Sequence, residues 1–522
     1  MTTPTVAQAR AWRPEALNGL GDEWERAARL IAANADTLAA EFAFWRGQAA
    51  DAARADAKSI VAEAETVARA LVLAAAAARD GADQIADARA AVLAGVDAAV
   101  GEGFVVGDDG TVSPPARPSS LLVALSGGDP ALADDLLAAR AQTLTAEVTA
   151  ALQRLGAADA DAAADLAEAL APPDAGPDGF GAEVVARWPS TGQDAIAAQL
   201  AAMTAEQRDR LIDAFPEQVG NTDGVPWDMR TRANRTNIAQ AVLDEPDPAR
   251  LSVYRDLLAE IDDPAGGGAR LDRQILAFDP ARASLVELHG NLASASSVAV
   301  LVPGLGTTIA GSAANTATAR RFVTATRGDV AAITYLGGPF PRGDNPLTAL
   351  AAAADPRYAL GMAPRLVAFT EDVDRRVDAT GRRIPVTVIG HSYGGSIVGT
   401  AETQGLTSDR TLFVAAAGAG VGVDDAGDWH NRNPDVLRFS MTPPGDPITA
   451  VQGIPGGPHG ADPDEMDGVI RLPTGHYDDG RPMAGPRAHS DVLNWPSDSW
   501  RTILGVITGD LRTDSATLPE TG

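Results

Sequence analysis

The chain of 522 residues has no cysteine, a single lysine (Lys58), six histidines and only 5% aromatic residues. Each shortage closes off a chemistry. Without cysteine there are no disulfides, no thiolate-bound zinc and no thiol nucleophile. The one lysine lies in an alanine-rich helical stretch, which speaks against a phosphate-loop lysine or a Schiff base. Positive charge is scarce overall: 42 basic residues against 70 acidic ones leave a formal net charge of −28. Nucleic acid and anionic membrane surfaces attract basic proteins, so neither is expected as a partner. The purest apolar run, Ala70 to Ala78, is bounded by Arg69 and Arg79 and is far too short to span a bilayer. Met1 to Arg13 lacks the apolar core of an export signal. A proton acceptor must therefore come from six histidines or from a carboxylate. With 45% hydrophobic residues, a buried core is expected, and the length suggests two to four domains or one large domain with additions.

The first hundred residues carry a helical period. Leu17, Leu20, Trp24, Ala28, Ile31, Leu38, Phe42 and Trp45 draw one apolar stripe, with Asp22, Glu25, Arg26, Arg29 and Asp36 on the polar face. A second stripe runs through Ile60, Val67, Leu71, Ala74, Ala78, Ile85, Val92 and Val96. Trp45-Arg46-Gly47 separates the two, which predicts an αα-hairpin. In motif and context it resembles the WXG-type helical hairpins of actinobacterial type VII secretion. That resemblance implies a helical partner or self-association. The Tyr-x-x-x-Asp/Glu signal of that family is absent: none of the tyrosines, at 254, 335, 358, 393 and 477, has an acid four residues on. Cytoplasmic residence and type VII export are both open. A strand hairpin around Gly107 to Gly110, a proline linker at 114–118, helices from Asp129-Pro130 to about Leu170, a second linker at 171–177 and further helices over 193–261 follow. The expected divisions are a hairpin at 1–112, a helical middle region at 113–265, a catalytic domain at 266–512 and a tail at 513–522. The tail ends Leu-Pro-Glu-Thr-Gly, a sortase-like motif that reads as a tag, a truncated sorting signal or coincidence.

From about residue 270 the pattern changes. Short β-branched runs at 273–278, 284–288, 298–302, 330–336, 386–389, 412–415, 436–440 and 469–472 alternate with helical segments. Several are apolar throughout, as strands covered on both faces are. The class is α/β, a mostly parallel sheet with right-handed crossovers and helices on both faces. Ligands of such sheets bind beyond the carboxyl ends of the strands. After Val386 to Ile389 comes Gly390-His391-Ser392-Tyr393-Gly394, a GxSxG turn between strand and helix. There a serine sits on a sharp, strained turn with its hydroxyl lifted off the sheet, and the next helix points N–H groups at developing negative charge. The competing reading is a glycine-rich turn with an inert serine.

A hydroxyl needs a base. Asp446 follows a strand end in Pro444-Gly445-Asp446-Pro447, where a carboxylate orients an imidazole; its rival role is that of a plain turn former. Asp424, Asp425 and Asp428 are weaker acids for the role. Three histidines come later. His459 lies in an acidic loop, His476 in a glycine-rich loop, and His489 on the loop before the last helix, the best placed of the three. The N–H groups of Tyr393 and Leu305 are the expected oxyanion donors, with Gly304 letting the backbone come close. His391, Phe340 and Tyr358 are candidate pocket residues, the last two on a 337–363 segment read as a cap. His289 and His430 read as structural. No metal or cofactor is implied.

The stretches 298–306, 335–337, 390–395, 444–447 and 489–490 resemble an actinobacterial α/β-hydrolase family of unknown function that often follows WXG-like helices. Gly220 to Pro226 with Arg232-Ala233-Asn234-Arg235 resembles the helical part preceding such domains. The resemblance implies an α/β-hydrolase fold with Ser392, Asp446 and His489 as its triad, and a serine esterase or lipase-like enzyme acting on a small-molecule or lipid-like acyl substrate. Two other readings stand beside it: a type VII secretion-associated binding or assembly protein that uses the fold as a scaffold, and a toxin-like effector.

Overall fold

The computed structural model describes residues 3–41, 46–172, 181–343, 345–452, 454 and 456–511. Trp45 and Phe42, most of the second linker and the Leu-Pro-Glu-Thr-Gly tail lie outside the described residues. The chain divides into two compact units, one formed by 1–173 with 239–246 and 254–259, the other by 174–238, 247–253 and 260–522.

The first unit is helical. Helices α1 (Glu15–Glu41) and α2 (Gln48–Gly101) lie side by side, as the two stripes predict. Helix α3 (Pro130–Ala169) starts where Asp129 accepts a hydrogen bond from the Ala131 N–H and proline occupies the first turn. Its Leu144, Val148, Leu152 and Leu155 pack with Ile85, Val92 and Val96 of α2 and with Phe104 and Val112. Phe104 precedes and Val112 belongs to the small antiparallel pair 105–106 and 112–113. The core thus runs across the expected boundary at 112. Two stripe positions are corrected: Ile60 and Val67 are 55% and 50% exposed, whereas Ala68 and Val72 are buried. Ile85, Val92 and Val96 of the same stripe are buried because they pack in the cluster with α3, to which Ile60 and Val67 do not belong. Glu25, expected on the polar face, is 3% exposed. Arg29, Arg79 and Arg255 all reach its carboxylate, Arg79 at 3.0 Å and the Arg255 Nε at 3.1 Å. Burial alone would raise its pKa; the guanidinium groups of Arg255 and Arg79 bring it below the usual value.

The second unit is built on eight strands, β1 (Gln274–Asp279), β2 (Ser284–His289), β3 (Ser297–Val302), β4 (Val330–Leu336), β5 (Val386–His391), β6 (Arg410–Val414), β7 (Leu437–Met441) and β8 (Val469–Arg471). Their spatial order is 8-7-6-5-3-4-2-1. All neighbouring pairs are parallel except β1–β2 and β2–β4. Ala299, Leu301, Ile389, Leu412 and Val414 join Phe322, Ile503 and Val506 of two covering helices in one core, while alternate residues such as Val300 and Val388 are equally buried on the other side. Both faces are thus apolar, which explains why the strands read as continuous runs.

The edge strand β1 is sealed by side chains. Asn221 donates to the Phe278 carbonyl and accepts from its N–H, in the manner of a neighbouring strand. Asn234 donates to the Ile275 and Gly220 carbonyls, and Arg230 Nε to the Leu276 carbonyl. Both side chains come from the first turns of α4 (Trp227–Asp244). Arg230 also binds Asp223 and Asp372, the latter on α5 (Arg357–Asp378). Asp372 in turn accepts from the Gly224 N–H, Trp227 Nε1 and Arg375. The motifs at 220–226 and 232–235 are therefore a clasp on an otherwise open sheet edge.

Candidate active site

Ser392 ends β5 and opens helix α6 (Tyr393–Glu402) with φ 55° and ψ −123°, a backbone conformation that non-glycine residues avoid. The turn holds because its surroundings hold it. The Ser392 N–H donates to the Val414 carbonyl, and its carbonyl accepts from Gly395 and Ala417. Crowding explains the glycines: a Cβ on Gly394 would lie 2.1 Å from the Val302 carbonyl oxygen, and one on Gly304 would lie 2.6 Å from the Ser392 Cβ.

Asp446 follows β7 and His489 stands in the first turn of α7 (Ala488–Asn494). The Ser392 hydroxyl lies 3.0 Å from His489 Nε2, and His489 Nδ1 lies 2.9 and 3.0 Å from the two Asp446 oxygens. With Nδ1–H donating to the carboxylate, Nε2 is left to accept from the serine. Asp446 is 1% exposed and also caps the next turn by accepting from the Ile448 N–H, so its bond to His489 and its place in the turn are compatible. His476 and His459 do not approach Ser392. His476 is mostly exposed and faces Asp498 at 3.7 Å. His459 is buried, donates from Nε2 to the Ala353 carbonyl and accepts at Nδ1 from the Ser396 hydroxyl. Burial lowers its pKa, consistent with that neutral tautomer. The Asp428 carboxylate is occupied by the Asp424 and Asp425 N–H groups.

Among the described residues neither the Leu305 nor the Tyr393 N–H donates to another backbone or side-chain group. Leu305 follows Gly304, whose backbone abuts Ser392; Tyr393 begins α6. The 337–363 segment is tied down beside the elbow. The Gly306 N–H donates to the Pro341 carbonyl, the Tyr393 hydroxyl to the Asp355 carbonyl and His459 to Ala353. Tyr358 meets the Tyr393 ring edge-on at 6.3 Å, whereas Phe340 is 3% exposed within the fold. Sequence reasoning left His391 without a specific contact. Its Nε2–H donates to the His489 carbonyl at 2.8 Å, with the two rings 5.2 Å apart. Burial, and then the charge of His489, pushes its pKa down to about 4, so it is a neutral donor at pH 7. His289 is buried on β2 beside Glu287, as a structural histidine would be. Neither described cavity, of about 640 and 560 Å³, is lined by Ser392, Asp446 or His489.

Residues 279–455 match the family model described as Alpha/beta hydrolase. The chain is similar to two uncharacterized proteins of Mycobacterium tuberculosis, Rv2079 of strain H37Rv and MT2140 of strain CDC 1551. Each is 30% identical over 262 residues, covering 42% of this chain and 38% of the relative. The match thus accounts for well under half of those relatives' length. A solved structure, "Crystal Structure of TT1662 from Thermus thermophilus", aligns with a TM-score of 0.22 and 15% identity over 42% of this chain and 94% of that one. The C-terminal region is an alpha/beta hydrolase domain, which supports hydrolase function in general. No helix among the described residues is long and apolar enough to cross a membrane.

Proposed function

We propose that the protein is a serine hydrolase that cleaves a carboxylic ester through an acyl-enzyme, without a cofactor. The observation that carries this reading is the line Asp446–His489–Ser392, bonded at 2.9 and 3.0 Å, on a strained strand-to-helix turn. In the first half-reaction Ser392 Oγ attacks the ester carbonyl while His489 Nε2 takes its proton. The tetrahedral intermediate collapses as His489 returns that proton to the departing alkoxide, leaving the acyl group on Ser392. Water, activated by the same imidazole, then releases the acid and restores the serine. Asp446 holds the imidazole in its Nδ1–H tautomer and stabilises the imidazolium. The Leu305 and Tyr393 N–H groups receive the oxyanion, aided by the start of α6.

A fluorophosphonate probe is expected to label the protein at Ser392, and a panel of esters of graded acyl length to reveal turnover. Ser392→Ala should abolish labelling and lower the rate on the order of 10⁴–10⁶. A well-folded chain that is neither labelled nor active on any ester would refute the enzyme reading. The alternative, a secretion-associated binding or assembly protein with a WXG-type hairpin, draws on the paired helices α1 and α2. It requires a hairpin partner whose capture survives Ser392→Ala.

A further inference from the structure

The larger cavity, of about 640 Å³, lies at the opposite end of the parallel strands from Ser392. Its wall includes Asn291 and Leu292, which precede β3, and Thr380 and Arg382, which precede β5. Ser392 and Asp446 follow the carboxyl ends of β5 and β7. The two places are separated by the length of the sheet and share no lining residue.

The cavity has an apolar floor and two arginines on its wall, Arg376 and Arg382. Trp227, Leu276, Leu288 and Leu292 are all buried and present carbon surface. Arg382 also borders it, with one guanidinium nitrogen, Nη2, donating to the carbonyls of Leu292, Ala293 and Ala295. Arg376 is different. Among the described residues it makes no hydrogen bond or ion pair, and its Nε is buried without a partner. Its guanidinium stands 5.7 Å from the centre of the Trp227 ring, which fixes it against the cavity wall without satisfying its N–H groups. Arginine presents a planar fork that matches a carboxylate bidentately. The exposed Asp228 at the rim adds one negative charge, which disfavours multiply charged anions. We propose that this cavity is a second binding site, specific for a monocarboxylate with a flat apolar body, the carboxylate on Arg376 and the body on Trp227 and the leucine floor.

The test is calorimetric titration of the full chain with 1-naphthoate and, separately, with the uncharged 1-naphthamide. Naphthoate should bind and naphthamide should bind at least tenfold more weakly. Blocking Ser392 with a fluorophosphonate should leave naphthoate binding unchanged, which separates this site from the proposed acyl site and keeps the two claims independent. Arg376→Gln should weaken naphthoate binding on the order of tenfold or more, and Arg376→Lys less. Absence of naphthoate binding, equal affinity for the amide, loss of binding on phosphonylation, or an Arg376→Gln protein that melts normally and binds as before would each overturn the proposal. If Arg376→Gln does not fold, the acid-against-amide comparison on the unaltered chain decides.

Discussion

At the scale of single residues, the candidate site depends on close approaches that leave no slack. Gly304 presses its backbone on Ser392, and an added methyl would sit 2.6 Å from the Ser392 Cβ and 3.0 Å from its Oγ. Gly304→Ala is therefore expected to push the Leu305 N–H away and lower kcat/KM on an ester by on the order of 10²–10³, the usual effect of losing one oxyanion donor. The melting temperature should fall as well, because the Ser392 Cβ and the His391 carbonyl must move aside. His391 acts at one remove, as a positioning residue. By donating to the His489 carbonyl it anchors the backbone that carries the proposed base. His391→Ala should lower kcat by roughly ten- to a hundredfold, as a displacement of about 1 Å does, with KM nearly constant. His391→Gln, which keeps a donor, should recover part of the loss. An unchanged kcat in His391→Ala would remove the anchoring role.

At the scale of elements, legibility in the sequence followed the reach of the interaction. The central strands β3, β4 and β5 stood out because both faces are buried, so each is a short apolar run with turn residues on either side. The elbow stood out because its strand, turn and helix are contiguous. The anchoring bond from His391 did not, because it spans 98 positions and ends on a backbone carbonyl, which no side-chain pattern marks. The clasp on β1 is similar. Arg230 and Asp372 are 142 residues apart, and nothing local tells that an arginine on a helix will be 1% exposed. Its energetic importance follows from that burial. Removing the arginine takes one of two guanidinium groups from buried Asp372, which keeps Arg375, and takes the bonded cation from Asp223, whose pKa burial already pushes up to about 6. Arg230→Ala should cost about 3–5 kcal/mol, measured as a lower denaturation midpoint in urea. A smaller change, below about 1 kcal/mol, would mean that the strand edge is held by Asn221 and Asn234 alone.

At the scale of the whole molecule, two features govern how the fold responds to its surroundings. Burial pushes His289 down to about 4, against the raising effect of Glu287. The unfolded chain therefore takes up a proton near pH 6.5 that the folded chain refuses, and stability falls as pH drops from about 6.5 toward 4. Asp223, raised to about 6, opposes this over part of the range. In a His289→Asn chain the acid side of the stability profile should be shallower by up to one proton, about 1.4 kcal/mol per pH unit. Parallel profiles for the two proteins would exclude the histidine as the cause. The second feature is the arginine clasp on Glu25. Arg255 closes it from 230 positions further along the chain. During synthesis the carboxylate and Arg29 emerge together and Arg79 some seconds later, but the last cation follows the carboxylate only after an interval on the order of ten to forty seconds at 5–20 residues per second. The helical unit therefore leaves the ribosome unfinished, and its completion is timed by translation of a segment that belongs mostly to the other unit.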